Sequence, residues 1–176
     1  MTAVANTIFS AAQFNQFVRD NLNETAPALA TSAGSHFAAT GVNAIAERRL
    51  TGLTDLNSGT TTSTSFGDLT GAAIGPAITV ETGPTALVIV HGQISNSGAG
   101  SARMAYAVSG ATTLAAADNR GIGIIGAAGV TIVCSMGTHH GGGTALTPGS
   151  NTFTAKYRVS SGTGSFEDRR IVVLPM

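Results

Sequence analysis

The residues Gly121-Ile122-Gly123-Ile124-Ile125-Gly126 have the spacing of the G-x-G-x-x-G fingerprint, in which a strand-to-helix turn cradles a pyrophosphate at a helix N-terminus. Here Ala127-Ala128-Gly129 leads straight into the β-branched run Val130-Thr131-Ile132-Val133. No crossover helix can form there, so the sequence predicts no bound cofactor. His139-His140 is the single histidine pair. Neighbours on a strand point to opposite faces, and no cysteine or carboxylate lies close in sequence to complete a metal site. A solvated loop is the expectation, with a metal shared between subunits at a symmetry axis as the alternative. His91 interrupts the most apolar run and reads as a hydrogen-bonded buried or interface histidine.

Nucleophilic chemistry finds no better support. There is no G-x-S-x-G elbow, and Cys134 falls in register with Val130, Ile132 and Met136, the pattern of a core stripe. Glycoside cleavage needs two carboxylates facing each other across a cleft. The acids of the C-terminal region are Asp68, Glu81, Asp118, Glu167 and Asp168, and the one close pair, Glu167-Asp168, is sequential and borders Arg169-Arg170. Ion pairing at a sheet edge or subunit contact accounts for it better. With no Trp, and Tyr confined to Tyr106 and Tyr157, a stacking platform is poorly supplied. The expectation is a protein that is not an enzyme and has no catalytic, cofactor-binding or metal-binding residues.

Three kinds of element would carry these residues. A helix should begin at Ser10, which can cap, with Gln13 completing a capping box and Phe9 and Phe14 forming a hydrophobic staple. Its apolar stripe is Phe14, Phe17, Val18 and Leu22, and Pro27 stops it. A helix of about thirteen residues is marginal alone in water, so the stripe needs a partner surface. A β-hairpin should follow, with strands His36 to Thr40 and Ala44 to Leu50 around a Gly41-Val42-Asn43 turn. Asn57 to Ser65 reads as a Ser/Thr/Gly connector.

From Thr62 on, the pattern is all β. Strands are expected at Thr62 to Leu69, Ala77 to Glu81, Thr85 to Ile94, Ala102 to Val108, Val130 to Met136, Asn151 to Val159 and Phe166 to Leu174, with a weaker one at Ile122 to Ile125. The fold class is therefore mainly β: an antiparallel, jelly-roll-like sandwich with a short N-terminal helix and a β-hairpin. The expected domains are residues 1–30 (helical anchor), 31–61 (hairpin and connector) and 62–176 (sandwich). Phe153, Ala155, Tyr157 and Val159 alternate with Thr154, Lys156 and Arg158, which predicts one wet face. By contrast Leu87-Val88-Ile89-Val90 and Ile171-Val172-Val173-Leu174 are apolar on both faces. In an antiparallel sandwich the outer face then needs a cover, and these eight positions are the expected subunit interface.

Composition points the same way. Only 10% of the 176 residues are charged, 43% are apolar, and nine basic residues balance nine acidic ones. A net charge near zero favours association. Arg48-Arg49 and Arg169-Arg170 are doublets beside Glu47 and Asp168, which suggests local pairing and predicts no nucleic-acid partner. No window reaches the ~18 consecutive apolar residues of a membrane helix, so no membrane partner is expected. Met1 to Phe9 lacks the regions of a signal peptide, which predicts synthesis in a cytoplasm without ordinary secretion.

Two stretches carry a family resemblance. Thr7 to Leu22, with Ala11-Ala12-Gln13-Phe14-Asn15 and Val18-Arg19-Asp20-Asn21-Leu22, resembles the start of small minor tail and tail-fibre-like proteins of phages that infect actinobacteria. The hairpin Ala38-Ala39-Thr40-Gly41-Val42-Asn43-Ala44-Ile45-Ala46-Glu47-Arg48 is similar to a turn in the same proteins, and Ser150 to Val159 resembles their C-terminal ends. The resemblance implies a virion protein whose N-terminal segment (Phe9, Phe14, Phe17, Val18, Leu22) docks on other virion proteins while a β head, commonly trimeric, projects outward. Loops such as Ser95 to Ser101 or His139 to Thr144 are candidates for contact with a host surface glycan. A capsid decoration or head-fibre protein built the same way is the alternative, and a carbohydrate-active sandwich a more distant one. No long shaft follows the hairpin, and no depolymerase-like acid cluster is present.

Overall fold

The computed structural model describes residues 8, 10–23, 29–70, 75–126 and 128–176. The chain forms two compact units, Met1–Glu47 and Arg48–Met176.

In the first unit Ser10 caps the helix as its sequence requires. Its hydroxyl accepts from the Gln13 amide at 3.3 Å, and the Gln13 side chain accepts from the Ser10 amide at 3.0 Å, closing the capping box. The helix is not uniform. An α turn at Ala11–Phe14 passes into a π turn at Asn15–Arg19 and returns to α at Asp20–Asn23, an irregularity of the i→i+5 kind that side-chain periodicity does not announce. Phe9 and Pro27, the expected staple and stop, lie outside the described residues.

The hairpin pairs β1 (Ser35–Gly41) with β2 (Ala44–Arg49). Asn43 turns it at φ 56, a left-handed conformation that Asn tolerates better than most side chains. Glu47, at the end of this unit, accepts from the Thr31 and Ser32 amides and from the Ser35 and Thr31 hydroxyls. These hydroxyl donors, Ser35 foremost, hold its carboxyl down at about 2.

The second unit is a sandwich of two antiparallel sheets. Its strands are β3 (Thr51–Asp55), β4 (Gly59–Thr61), β5 (Ala77–Thr82), β6 (Ala86–Asn96), β7 (Ala102–Gly110), β8 (Gly121–Ile124), β9 (Thr131–His140), β10 (Gly149–Val159) and β11 (Gly164–Pro175). One sheet has the order β5-β10-β7-β8 and the other β3-β11-β6-β9, with β4 also pairing β11. The mainly β, sandwich-like architecture is the one the turn spacing predicts. The core lies between the sheets, with Met104, Tyr106, Phe153 and Tyr157 from one facing Val88, Val90, Phe166, Ile171 and Val173 from the other. On β10 the inward residues Phe153, Ala155, Tyr157 and Val159 are all fully buried, as the alternation requires. Lys156 and Arg158 face outward and pair with Asp68 and Asp118.

Two elements differ from expectation. Thr62 to Leu69 is not a strand. Its hydroxyls bond locally instead: the Ser63 amide donates to Thr61 Oγ1, the Ser65 amide to Ser63 Oγ, and Ser63 Oγ to the Ser65 carbonyl. Such Ser/Thr turns compete with a ladder. Conversely β3 and β4 pair with β11, although residues 31–61 were expected to hold only the hairpin and a connector.

Candidate functional site

The expected interface strands are placed by one β-bulge. β11 pairs Glu167 with Gln93 and then Arg170 with His91, so Asp168 and Arg169 together oppose Gly92. The extra residue reverses the inside-outside phase, and Asp168 takes φ 49 to accommodate it. Beyond the bulge Ile171 and Val173 point inward, as do Val88 and Val90 on β6, and all four have no exposed surface. These four are core residues of the chain's own sandwich, not the interface positions expected of them: alternation puts only every second residue of a strand on the outer face. The remaining four, Leu87, Ile89, Val172 and Leu174, are half-buried on the outer face. There the register aligns Gly137, Ile89, Val172 and Gly52 across four strands, with Leu87 and Leu174 paired in the next row. The glycines leave room for the side chains beside them: a Cβ on Gly52 would lie 3.2 Å from Val172 Cγ2 and one on Gly137 3.5 Å from Leu87 Cδ1. The result is a low apolar floor on the outer face. His91 stands in the row beyond it, half-buried beside Ser135 and Arg170.

Sequence reading missed a second apolar surface. Ile125, Val130 and Val133 are 72%, 48% and 63% exposed, and Val133 lies on β9, the last strand of its sheet among the described residues. The β-branched run Val130 to Val133 carries the signal, but Val130 and Ile132 fit the core stripe expected around Cys134, and the structure instead leaves them 48% and 39% exposed. Cys134 and Met136 do pack against the core, and burial pushes the Cys134 thiol up.

In the N-terminal unit the stripe residues Phe14, Phe17 and Leu22 are 50%, 38% and 60% exposed, and Val18 is half-buried. Phe9 lies outside the described residues.

The glycine motif has a packing explanation. A Cβ on Gly121 or Gly123 would strike β7, at the Met104 and Ala102 carbonyls respectively, and Gly126 turns at φ 68. The motif serves close strand approach and a turn, and no helix follows it.

The histidine pair divides. Among the described residues no three His, Cys, Asp or Glu side chains gather as metal ligands. His140 turns inward and is fully buried, with Nε2 2.6 Å from the Tyr106 hydroxyl and Nδ1 3.1 Å from the Thr144 carbonyl. The carbonyl can only accept, so Nδ1 carries the proton and the Tyr106 hydroxyl donates to Nε2. Burial pushes His140 below its ordinary value and Tyr106 up to about 12. A histidine buried neutral makes stability pH-dependent. Above the unfolded value of about 6.5 neither state binds the proton. Below it the unfolded chain binds a proton that the native state refuses, so stability should fall by up to ~1.4 kcal/mol per pH unit until the depressed native value is reached. Urea melts at pH 7.5 and 5.5 should show the loss, and His140→Gln should reduce it. The Glu47 carboxyl, depressed to about 2, acts only at lower pH.

His140, with Thr138 and Arg120, borders a pocket of ≈ 320 Å³ at one end of the sandwich. It lies between the segment after β7 and the loop after β9, the loop singled out from the sequence as a candidate for contact.

No protein-family model and no curated protein matches this chain. Among solved structures it is similar to infectious bursal disease virus, Gx strain (12% identity, TM-score 0.45), and to the VP2 subviral particle of that virus (13%, 0.45). It is similar also to an exo-β-1,3-galactanase of Phanerochaete chrysosporium (12%, 0.30). The matches cover 75%, 75% and 74% of this chain and 34%, 35% and 31% of those chains. The chain thus spans about a third of the length of each. The first two are viral, the third is a galactanase, and overlap this loose carries no argument.

Proposed function

We propose that this chain is a structural component of a bacteriophage particle, associated with the tail or tail tip: an oligomeric β head, expected to be a trimer, held to the particle by its N-terminal segment. The observation that carries the proposal is the apolar side of the N-terminal helix. Phe14, Phe17 and Leu22 keep much of their surface in water on a helix too short to persist alone. A capped helix that offers two phenylalanines and a leucine to solvent is suited to a partner groove, which it would read through residues at helical spacing. The resemblance of Thr7 to Leu22 and of the hairpin to phage minor tail proteins names the kind of partner. A low charged fraction and zero net charge suit a subunit that spends its life in an assembly.

Replacing both Phe14 and Phe17 with Ser tests this. The sandwich should fold and melt as before, while incorporation into particles, read by immunoblot of purified virions, should drop to background. Incorporation at the original level would remove the anchor from the proposal.

A further inference from the structure

We propose that the ≈ 320 Å³ pocket beside His140 binds a small hydroxylated carboxylate, of the size of one uronic-acid ring, with Arg120 as its counter-charge.

Arg120 is the first reason. Its Nη2 is tied to the Ala115 carbonyl, which fixes the guanidinium, yet Nε is buried with no hydrogen-bond partner among the described residues. Arg103, Arg158 and Arg169 each have a carboxylate within ion-pair distance, whereas none is found for Arg120 among the described residues. Among the described residues no Asp or Glu lines the pocket. A fixed guanidinium without a counter-ion, in a recess, is a place for an anion.

Thr138 is the second. Its Oγ1 is buried and makes no hydrogen bond of good geometry among the described residues, although it lies near enough to the Tyr106 hydroxyl to ease that group's ionisation. Buried hydroxyls are ordinarily satisfied, and a ligand seated against this lining residue would give Thr138 Oγ1 the partner of good geometry that it lacks among the described residues. His140 offers no charge of its own, because both ring nitrogens are engaged.

The rest of the lining selects the ligand body. Leu114 and Leu146 give an apolar wall, and Thr113 and Asn119 bring polar side chains. That combination suits a ring with an apolar face and a hydroxylated edge. The volume is at the lower end of the range for ligand sites, about 300–1,000 Å³. A single guanidinium, with no lysine in the lining, matches a singly charged planar carboxylate better than a phosphate carrying nearly two charges.

Titration of the purified full chain with glucuronate, glucose and inorganic phosphate, followed by amide chemical shifts, tests the assignment. Glucuronate should give saturable shifts at residues 138–146, with glucose and phosphate at least tenfold weaker. Arg120→Gln should weaken glucuronate binding at least tenfold. Thr138→Val, close to isosteric and so safe for the fold, should weaken it about threefold without lowering the melting temperature. Absence of saturable shifts with glucuronate, or equal binding by folded Arg120→Gln, would overturn the site. Phosphate binding as tight as glucuronate would overturn the carboxylate assignment, and a Thr138→Val protein that binds normally would overturn the part given to that hydroxyl.

Discussion

Asp55→Ala should remove about 3–5 kcal/mol of folding stability, a large share of the roughly 5–15 kcal/mol that holds a typical domain together. The reason is where Arg169 ends. The bulge in β11 turns this side chain inward, where it is fully buried, and its Nη2 meets Asp55 Oδ2 at 2.5 Å and the Asn57 carbonyl at 2.9 Å. Its Nη1 donates to the Tyr157 hydroxyl at 3.3 Å, and the guanidinium lies 5.6 Å from the centre of the Tyr157 ring. Burial pushes the Tyr157 phenol up to about 12, with the nearby Arg169 pulling the other way. Among the described residues Asp55 therefore supplies the one carboxylate in ion-pair contact with a guanidinium removed from water. Without it the cation keeps only neutral acceptors, while Nε already has no partner among the described residues.

The same reasoning gives an internal control. Replacing both members, as Asp55→Leu with Arg169→Met, removes the buried charge together with its partner and should recover most of the loss or exceed the original stability, as apolar substitutes for buried pairs often do. Urea unfolding of the two proteins would measure both outcomes. A loss under about 1 kcal/mol for Asp55→Ala, the size found for exposed pairs, would show that water reaches this guanidinium.

The pair also marks what the sequence could not reveal. Arg169 follows Asp168 directly, and neighbouring charges suggest a local pair. The actual partner lies 114 residues earlier, on a strand whose one large apolar side chain is Leu53, too little for a period-two pattern. The bulge itself leaves no signature except the charged run that interrupts Phe166 to Leu174. By contrast, features governed by short-range rules were legible. The Ser10 and Gln13 capping box, the Asn43 turn and the alternation from Phe153 to Val159 follow from spacing within a few residues. The π turn in the helix was not legible, because side-chain spacing does not fix the backbone hydrogen-bond register. The pocket was legible only as a loop, since Arg120, which leads into β8, and Thr138 on β9 belong to different sheets and meet only where the sheets stack.

On the proposed oligomeric head, Ile89→Glu should leave a single, folded subunit. Ile89 stands at the centre of the outer face of the β3-β11-β6-β9 sheet, between Gly137 and Val172, with Leu87 and Leu174 paired one row along. It is half-buried in the isolated chain. A glutamate can therefore reach water there, at a cost in strand propensity below about 1 kcal/mol. The same carboxylate facing an apolar partner surface would have to be stripped of water with no cation opposite, a penalty of several kcal/mol per buried ion that an ordinary contact cannot absorb. The substitution thus separates folding from association. Thr154→Glu supplies the comparison, since Thr154 faces outward on the other sheet, paired with Ala77 and Ala107, and there the added charge should leave the assembly intact. Light scattering of the purified proteins reads the result directly: a multiple of 17.5 kDa for the original chain and for Thr154→Glu, and 17.5 kDa for Ile89→Glu. An original chain that runs as one subunit would defeat the oligomeric head altogether. An Ile89→Glu protein that keeps the full mass would move the contact elsewhere, with the exposed β9 edge around Val133 as the surface to test next, because a strand with unpaired backbone groups can add a second strand without using this face at all.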